Sequence, residues 1–207
     1  MNITIRPIEL GDAAAVQMYA ADEKLARTCN VPHPYPENGG EWFVKRSVEA
    51  RQKQERFPSA VLADGQFAGV VGLNAPDFKA GTIECDYWIG VPYWGKGVGT
   101  KAVGLAVEFT FRELGMQTVL SGCWEGNPSS ARVLEKNGFN EIESTLGTDT
   151  YGQKFKGQRI RRFTLTRQEW MIRNTHHRLH RIPHPRRVRN PVRRNVARLA
   201  ARRTMGR

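Results

Sequence analysis

Residues 93–102, YWGKGVGTKA, place three glycines (Gly95, Gly97 and Gly99) within five positions and run straight into a helical pattern. Ordered glycine costs more backbone entropy than any other residue, so a cluster at a helix start needs a physical reason. A strand, a tight glycine turn and a helix N-terminus in succession gather unpaired N–H groups around one spot, with the positive end of the helix dipole behind them. Lys96 and Lys101 add charge there. Such a site suits phosphate or pyrophosphate, because bare glycines let an anion reach the main chain. The same stretch also reads as a tight turn with no ligand. It is not G-x-x-x-x-G-K-[ST], and a dinucleotide G-x-G-x-x-G fails because Thr100 or Ala102 stands where a further glycine belongs.

The rest of the first 170 residues alternates strand and helix patterns. Ile3–Ile8 reads as a strand, Asp12 as the cap of a helix over AAAVQMYAA, and 31–40 as a turn-rich loop. A second helix is expected from about Glu41 to Lys53. Phe57–Ala63 and Gln66–Leu73 are strands joined by Asp64-Gly65, a strong hairpin signal. Thr82–Val91 is a further strand. A long helix follows from Thr100 to about Leu114, with Ala102, Val103, Ala106, Val107, Phe109 and Thr110 on one stripe. Gln117–Trp124 is a strand, and Pro128–Lys136 a short helix with Asn127 as N-cap. Phe139–Leu146 and Arg159–Thr166 close the series, joined through 147–157. The order β-α-α-β-β-β-α-β-α-β-β implies an α/β fold with one mixed sheet.

Two further stretches give the glycine turn a context. Asn127-Pro128-Ser129-Ser130 opens the short helix and Lys136-Asn137-Gly138-Phe139 closes it. With Trp94-Gly95-Lys96-Gly97-Val98-Gly99 they resemble the acetyl-CoA signature of the GNAT superfamily of N-acetyltransferases. Glu84-Cys85-Asp86-Tyr87-Trp88-Ile89-Gly90 is similar to the RimJ/RimL type within it. The likeness spans about residues 3–168. Trp94 departs from the superfamily's usual Gln or Arg.

The resemblance implies a GNAT-type acyl-CoA N-acyltransferase fold over 1–170, followed by a basic C-terminal extension. It implies acetyl-CoA as co-substrate, with no metal. The amides of Gly95, Lys96, Gly97, Val98, Gly99 and Thr100 would wrap the pyrophosphate. Ile89 and Val91 would pair with the pantetheine arm across a splay between the fourth and fifth strands, where a strand-end amide would stabilise the developing oxyanion. Asn127 would bond the arm, cap its helix, or both. Ser130 would face the departing thiolate, with Ser129 as the alternative. Glu84 would accept the amine's proton, with Asp86 sharing its face and Tyr87 and Tyr151 as other acid–base groups. A covalent acetyl-enzyme at Cys123 lacks a nearby histidine to activate it. The expected reaction is direct transfer to a primary amine, foremost a protein N-terminal α-amine. Alternatives are a small-molecule amine such as an aminoglycoside or amino acid derivative, or a non-catalytic nucleic-acid or ribosome-binding protein on the same scaffold. The subgroup also implies a homodimer. Segments 31–40 and 147–157 are expected to line the acceptor site.

Charge is segregated. All 20 acidic residues precede position 170, while 12 of the 32 basic ones are arginines beyond it, so the body is neutral and the +12 excess lies in 171–207. Residues 187–203 read as a basic amphipathic helix or an arm that folds on an anionic partner such as RNA, the ribosome or an acidic membrane. The His176, His177, His180, His184 cluster is broken by prolines and predicts no metal site. Three widely spaced cysteines suit a reducing cytoplasm. No signal-peptide pattern and no transmembrane run of about 18 apolar residues is present.

Overall fold

A computed structural model describes residues 1–148 and 153–179. The first compact unit is Met1–Arg173. The second is Asn174–Arg207, of which the description reaches Leu179. The expected basic helix over 187–203, His180, His184 and Tyr151 lie outside the described residues.

Seven strands form one sheet: β1 (Ile3–Pro7), β2 (Ser59–Ala63), β3 (Gln66–Asp77), β4 (Thr82–Ile89), β5 (Thr118–Trp124), β6 (Asn140–Leu146) and β7 (Arg159–Thr166), in the order β1-β2-β3-β4-β5-β7-β6. Asp64 and Gly65 both take positive φ, +49° and +82°. That is the two-residue turn whose twist matches antiparallel strands. All neighbours are antiparallel except β4 and β5. A parallel pair needs a crossover, and helix α4 (Val98–Arg112) supplies it.

Apolar periodicity decides which face each helix covers. Ala102, Val103, Ala106, Val107 and Phe111 of α4 pack on Ile83 and Cys85 of β4, Val119 of β5 and Phe163 of β7. The buried Thr110 hydroxyl donates to Ala106 O, so no polar group is stranded in that core. The opposite face carries a smaller cluster. There Val16 of α1 (Ala13–Ala20) and Val44 of α3 (Gly39–Gln52) meet Ala60 and Val70.

One local expectation is corrected, and two helices add to the sequence reading. Asp12 does not cap α1 with its side chain. A 3-10 turn over Leu10–Asp12 intervenes, and the carboxylate takes both Arg6 guanidinium nitrogens at 2.7 and 2.8 Å plus the Glu9 amide. A bidentate charged pair outcompetes a single capping bond. A short helix, α2 (Glu23–Ala26), follows Asp22, which accepts Lys24 N–H; four residues are too few for periodicity to reveal. Helix α6 (Arg167–Leu179) runs across position 170. Thr166 and Glu169 form a reciprocal capping box at its start, and Trp170 packs on Phe111 with ring centroids 5.5 Å apart.

Candidate active site

The parallel ladder between β4 and β5 holds only over Thr82–Glu84 against Thr118–Leu120. Beyond it the strands part. At the first broken position the Ser121 hydroxyl donates to Cys85 O at 2.8 Å, satisfying a buried carbonyl that has lost its strand partner. Gly90 N–H bonds back to Ala68 O on β3, so by alternation the main-chain groups of Cys85, Tyr87 and Ile89 point into the opening. The splay that the family resemblance implies is present. It forms part of a cavity of about 820 Å³, lined from both faces of the sheet.

On the α4 face lies the glycine turn. Gly95 and Gly97 adopt φ of +72° and +78°, and a Cβ at either would meet nothing within 4 Å. The glycines therefore serve conformation and open approach, not internal packing. The Lys101 N–H to Gly97 O bond is the first at the α4 start, which leaves the Val98, Gly99 and Thr100 amides aimed outward. Lys96 and Lys101 are exposed beside them. A turn with this φ pattern, free amides and flanking cations fits a diphosphate.

Helix α5 (Pro128–Lys136) borders the same opening. Asn127 Oδ1 accepts Ser130 N–H at 3.1 Å, as an N-cap should, and Nδ2 donates to Thr28 O at 3.0 Å. Both ends of the carboxamide thus serve the protein. Ser130 Oγ lies 2.9 Å from Tyr87 Oη, a hydroxyl pair joining α5 to β4, and burial pushes the tyrosine's pKa upward. Ser129 is exposed and accepts a long 3.4 Å bond from Arg132. The buried Cys123 thiol is pushed up to about 11, chiefly by burial, so it is a poor nucleophile at neutral pH. Ile89 lines the opening, and Val91 does not. The Ile89 carbonyl already accepts the Trp94 indole N–H, and Val91 begins a 3-10 turn.

On the other face, Glu84 and Asp86 point from β4 toward the α1–α3 side, with Tyr35, Trp42 and Trp88 among the walls. Glu84 accepts from Arg162 of β7 at 3.1 Å. Asp86 keeps an exposed face toward the cavity, while the surrounding walls desolvate it in part. Burial raises its pKa, opposed by the Asn74 side chain, the Arg56 charge and the Gly72 amide. Arg56 Nε in turn donates to Asn74 Oδ1 at 2.6 Å. Arg56, Asn74 and Lys154 were not marked by any sequence pattern. The last donates to Ala26 O and Val31 O and pins the loop that roofs the cavity. Each acts through a partner distant in the chain, so no local spacing signals it.

Residues 2–140 match the family model for the acetyltransferase (GNAT) domain. The chain belongs to the GNAT family. A Bacillus subtilis (strain 168) protein named as a probable N-acetyltransferase, YjcK, is 40% identical over 150 residues, covering 68% of this chain and 81% of that one. Among GNAT structures, a RimL ribosomal L7/L12 α-N-protein acetyltransferase with coenzyme A superposes with a TM-score of 0.72 at 14% identity, over 80% of this chain and 94% of that one. A spermidine N-acetyltransferase from Vibrio cholerae, bound to CoA and spermine, gives 0.70 at 17% identity, over 82% and 98%. The chain is thus a GNAT N-acetyltransferase of RimJ/RimL-like kind with the expected α/β fold. No described helix is long and apolar enough to cross a membrane, and no metal-binding cluster occurs among the described residues.

Proposed function

We propose that this GNAT enzyme moves the acetyl group of acetyl-CoA directly to the α-amine of a protein N-terminus. The observation that carries this choice is the charge of the acceptor side. Among the described residues lining the cavity, Glu84 and Asp86 are the only carboxylates, and Glu84 is already paired with Arg162. One ammonium group can be matched there. A polyamine or aminoglycoside, with several cationic centres, would bring charges that nothing described neutralises. The aromatic walls instead suit the apolar part of a peptide.

The chain's residues divide the work. Amides from Gly95 to Thr100 hold the diphosphate, with Lys96 and Lys101 adding attraction. Main-chain groups of Tyr87 and Ile89 meet the amides of the pantetheine arm as an added strand would. The Ile89 N–H faces the point where the thioester oxygen gains charge. Ser130, backed by Tyr87, supplies a proton to the departing sulfur. The β4 carboxylates face the amine, whose ordinary pKa of about 7.7–8.0 asks less of a base than a lysine at about 10.4. The arginine-rich 171–207 segment would hold the enzyme near an anionic partner such as the ribosome.

Free-thiol release from acetyl-CoA, measured with short peptides, spermidine and an aminoglycoside, tests the choice. Peptide α-amines should exceed the polycations in kcat/KM by at least about tenfold, the scale of one unmatched charge. Faster turnover of spermidine or the aminoglycoside would overturn it. Coenzyme A binding without transfer to any amine would favour a binding protein on this scaffold.

A further inference from the structure

We propose that Asp86 is the catalytic carboxylate that takes the acceptor ammonium's proton, while Glu84 is a positioning residue that braces the sheet opening through Arg162. This rests on the acetyl-transfer reading above and assigns within it a role that the sequence pattern gave to Glu84.

The two carboxylates stand two positions apart on β4 and share a face, but their surroundings differ. Glu84 sits at the last ladder pair before the strands part and is held by a guanidinium at 3.1 Å. That oxygen is thereby committed to a partner within the sheet. Asp86 is one step further along that face, beside the opening. Its Oδ1 lies over Gly72 of β3, where an added Cβ would come within 2.3 Å of it, so the absent side chain leaves the carboxylate its space. The Asn74 side chain, oriented by Arg56, and the Gly72 amide are the hydrogen-bond partners of the Asp86 carboxylate. Asp86 is thus placed by neutral donors, and no ion pair to it occurs among the described residues. The other titratable groups that feel it are Glu84 and Cys85 on β4 and Cys29 in the roof loop.

The proton count closes on these residues. The ammonium gives one proton to an Asp86 oxygen, freeing the nitrogen lone pair. Formation of the N–C bond and cleavage of the C–S bond release the amine's second proton to water. Ser130 and Tyr87 pass a proton to the sulfur and regain one from water, and Asp86 returns its own, so one proton in all is left in solvent. A carboxylate whose pKa is raised by burial is the better base for this step.

Asp86 also predicts a stability signature. Its folded-state pKa lies above the ordinary 3.8, so the folded chain binds more protons than the unfolded one between those values. That contribution to stability is full at low pH and is lost as pH rises through the folded-state pKa. Asp86→Asn removes the loss.

The test uses the full chain, a peptide α-amine and acetyl-CoA, with kcat/KM measured from pH 5 to 9. Asp86→Asn should lower kcat/KM about 10²-fold at pH 7, the deficit shrinking at higher pH as the free amine accumulates. Its affinity for acetyl-CoA by calorimetry should stay within threefold, and its Tm should rise relative to wild type at pH 8 but not at pH 4. Glu84→Gln should retain an acid limb, displaced to lower pH because the Glu84 charge no longer raises the Asp86 pKa. Asn74→Leu, which removes a donor to the ionised carboxylate, should move the acid limb to higher pH. This last arm decides the matter if Asp86→Asn does not fold. An Asp86→Asn profile that superimposes on wild type, a profile lost in Glu84→Gln instead, or an unmoved acid limb in Asn74→Leu would each overturn the assignment. Wild-type protein that does not bind acetyl-CoA would overturn the underlying reading instead.

Discussion

On the α4 face of the opening, the groups proposed to hold the cofactor are main-chain amides from a single run, Gly95–Thr100. On the α1–α3 face they are side chains drawn from Arg56, Asn74, Glu84, Asp86 and Arg162. An amide is the same donor whatever residue bears it, so the first wall needs only the right φ values and open space. The second depends on the identity of each side chain and on its partner. The two walls should therefore fail differently when altered, the first through backbone conformation and the second through lost pairing.

The largest effect should come from Gly97→Val. At φ +78° a β-branched residue is severely disfavoured, so the turn must re-form and its amides must swing away. Losing one or two charge-assisted bonds at about 1.5–3 kcal/mol each should weaken acetyl-CoA binding roughly 10²-fold. Calorimetry showing a Kd within threefold of wild type would mean the cradle is not where the diphosphate lies. Next is the hydroxyl pair between the walls. Ser130→Ala and Tyr87→Phe should each cut kcat about 10- to 30-fold, toward the low end for a positioned acid because water can stand in. Two hydroxyls 2.9 Å apart act together, so the double variant should be little worse than either single one. Multiplicative losses would show independent roles.

The same contrast explains what could be read from the chain. Helix α5, its Asn127 cap, the Asp64-Gly65 turn and the cradle all rest on contacts between residues a few positions apart, which spacing alone reveals. The stripe on α4 was equally plain from Ala102 to Thr110, except that Phe111, which it left out, is the fully buried ring and Phe109 only partly buried. The place where β4 and β5 separate was expected only from family likeness, because no residue near Glu84 or Leu120 marks a ladder's end. Asp86 stood only as the residue sharing the face of Glu84. Its neighbours Gly72 and Asn74 come from β3, paired against β4, and local spacing does not reveal them. Asp12 shows the reverse error, a capping residue by local rule that Arg6 captures through tertiary contact.

Gly72→Ala sharpens the comparison by putting a methyl group into the side-chain wall. Gly72 does not have a positive φ, so backbone strain is not at issue as it is for Gly97. The new Cβ would stand 2.3 Å from Asp86 Oδ1 and must displace it. Activity with a peptide amine should fall about tenfold, and stability by about 1–2 kcal/mol, as for a modest overpacking. Affinity for acetyl-CoA should be unchanged. An equal loss of cofactor affinity would mean that the walls are not separable.

The smallest effect should separate main chain from charge within the cradle itself. Lys96 and Lys101 flank the amides but are exposed, and exposed charges contribute only about 0.2–1 kcal/mol. Lys96→Ala and Lys101→Ala should each weaken acetyl-CoA binding about two- to threefold at low salt. Because the Debye length falls to about 3 Å at 1 M salt, that difference should vanish there. The Gly97→Val defect should persist in high salt, since it removes short contacts that ions do not screen. If the lysine variants lose as much as Gly97→Val, and salt abolishes binding in the wild type, the diphosphate is held by charge and the glycine turn is only its support. Retained binding in 1 M salt would instead assign the grip to the amides from Gly95 to Thr100.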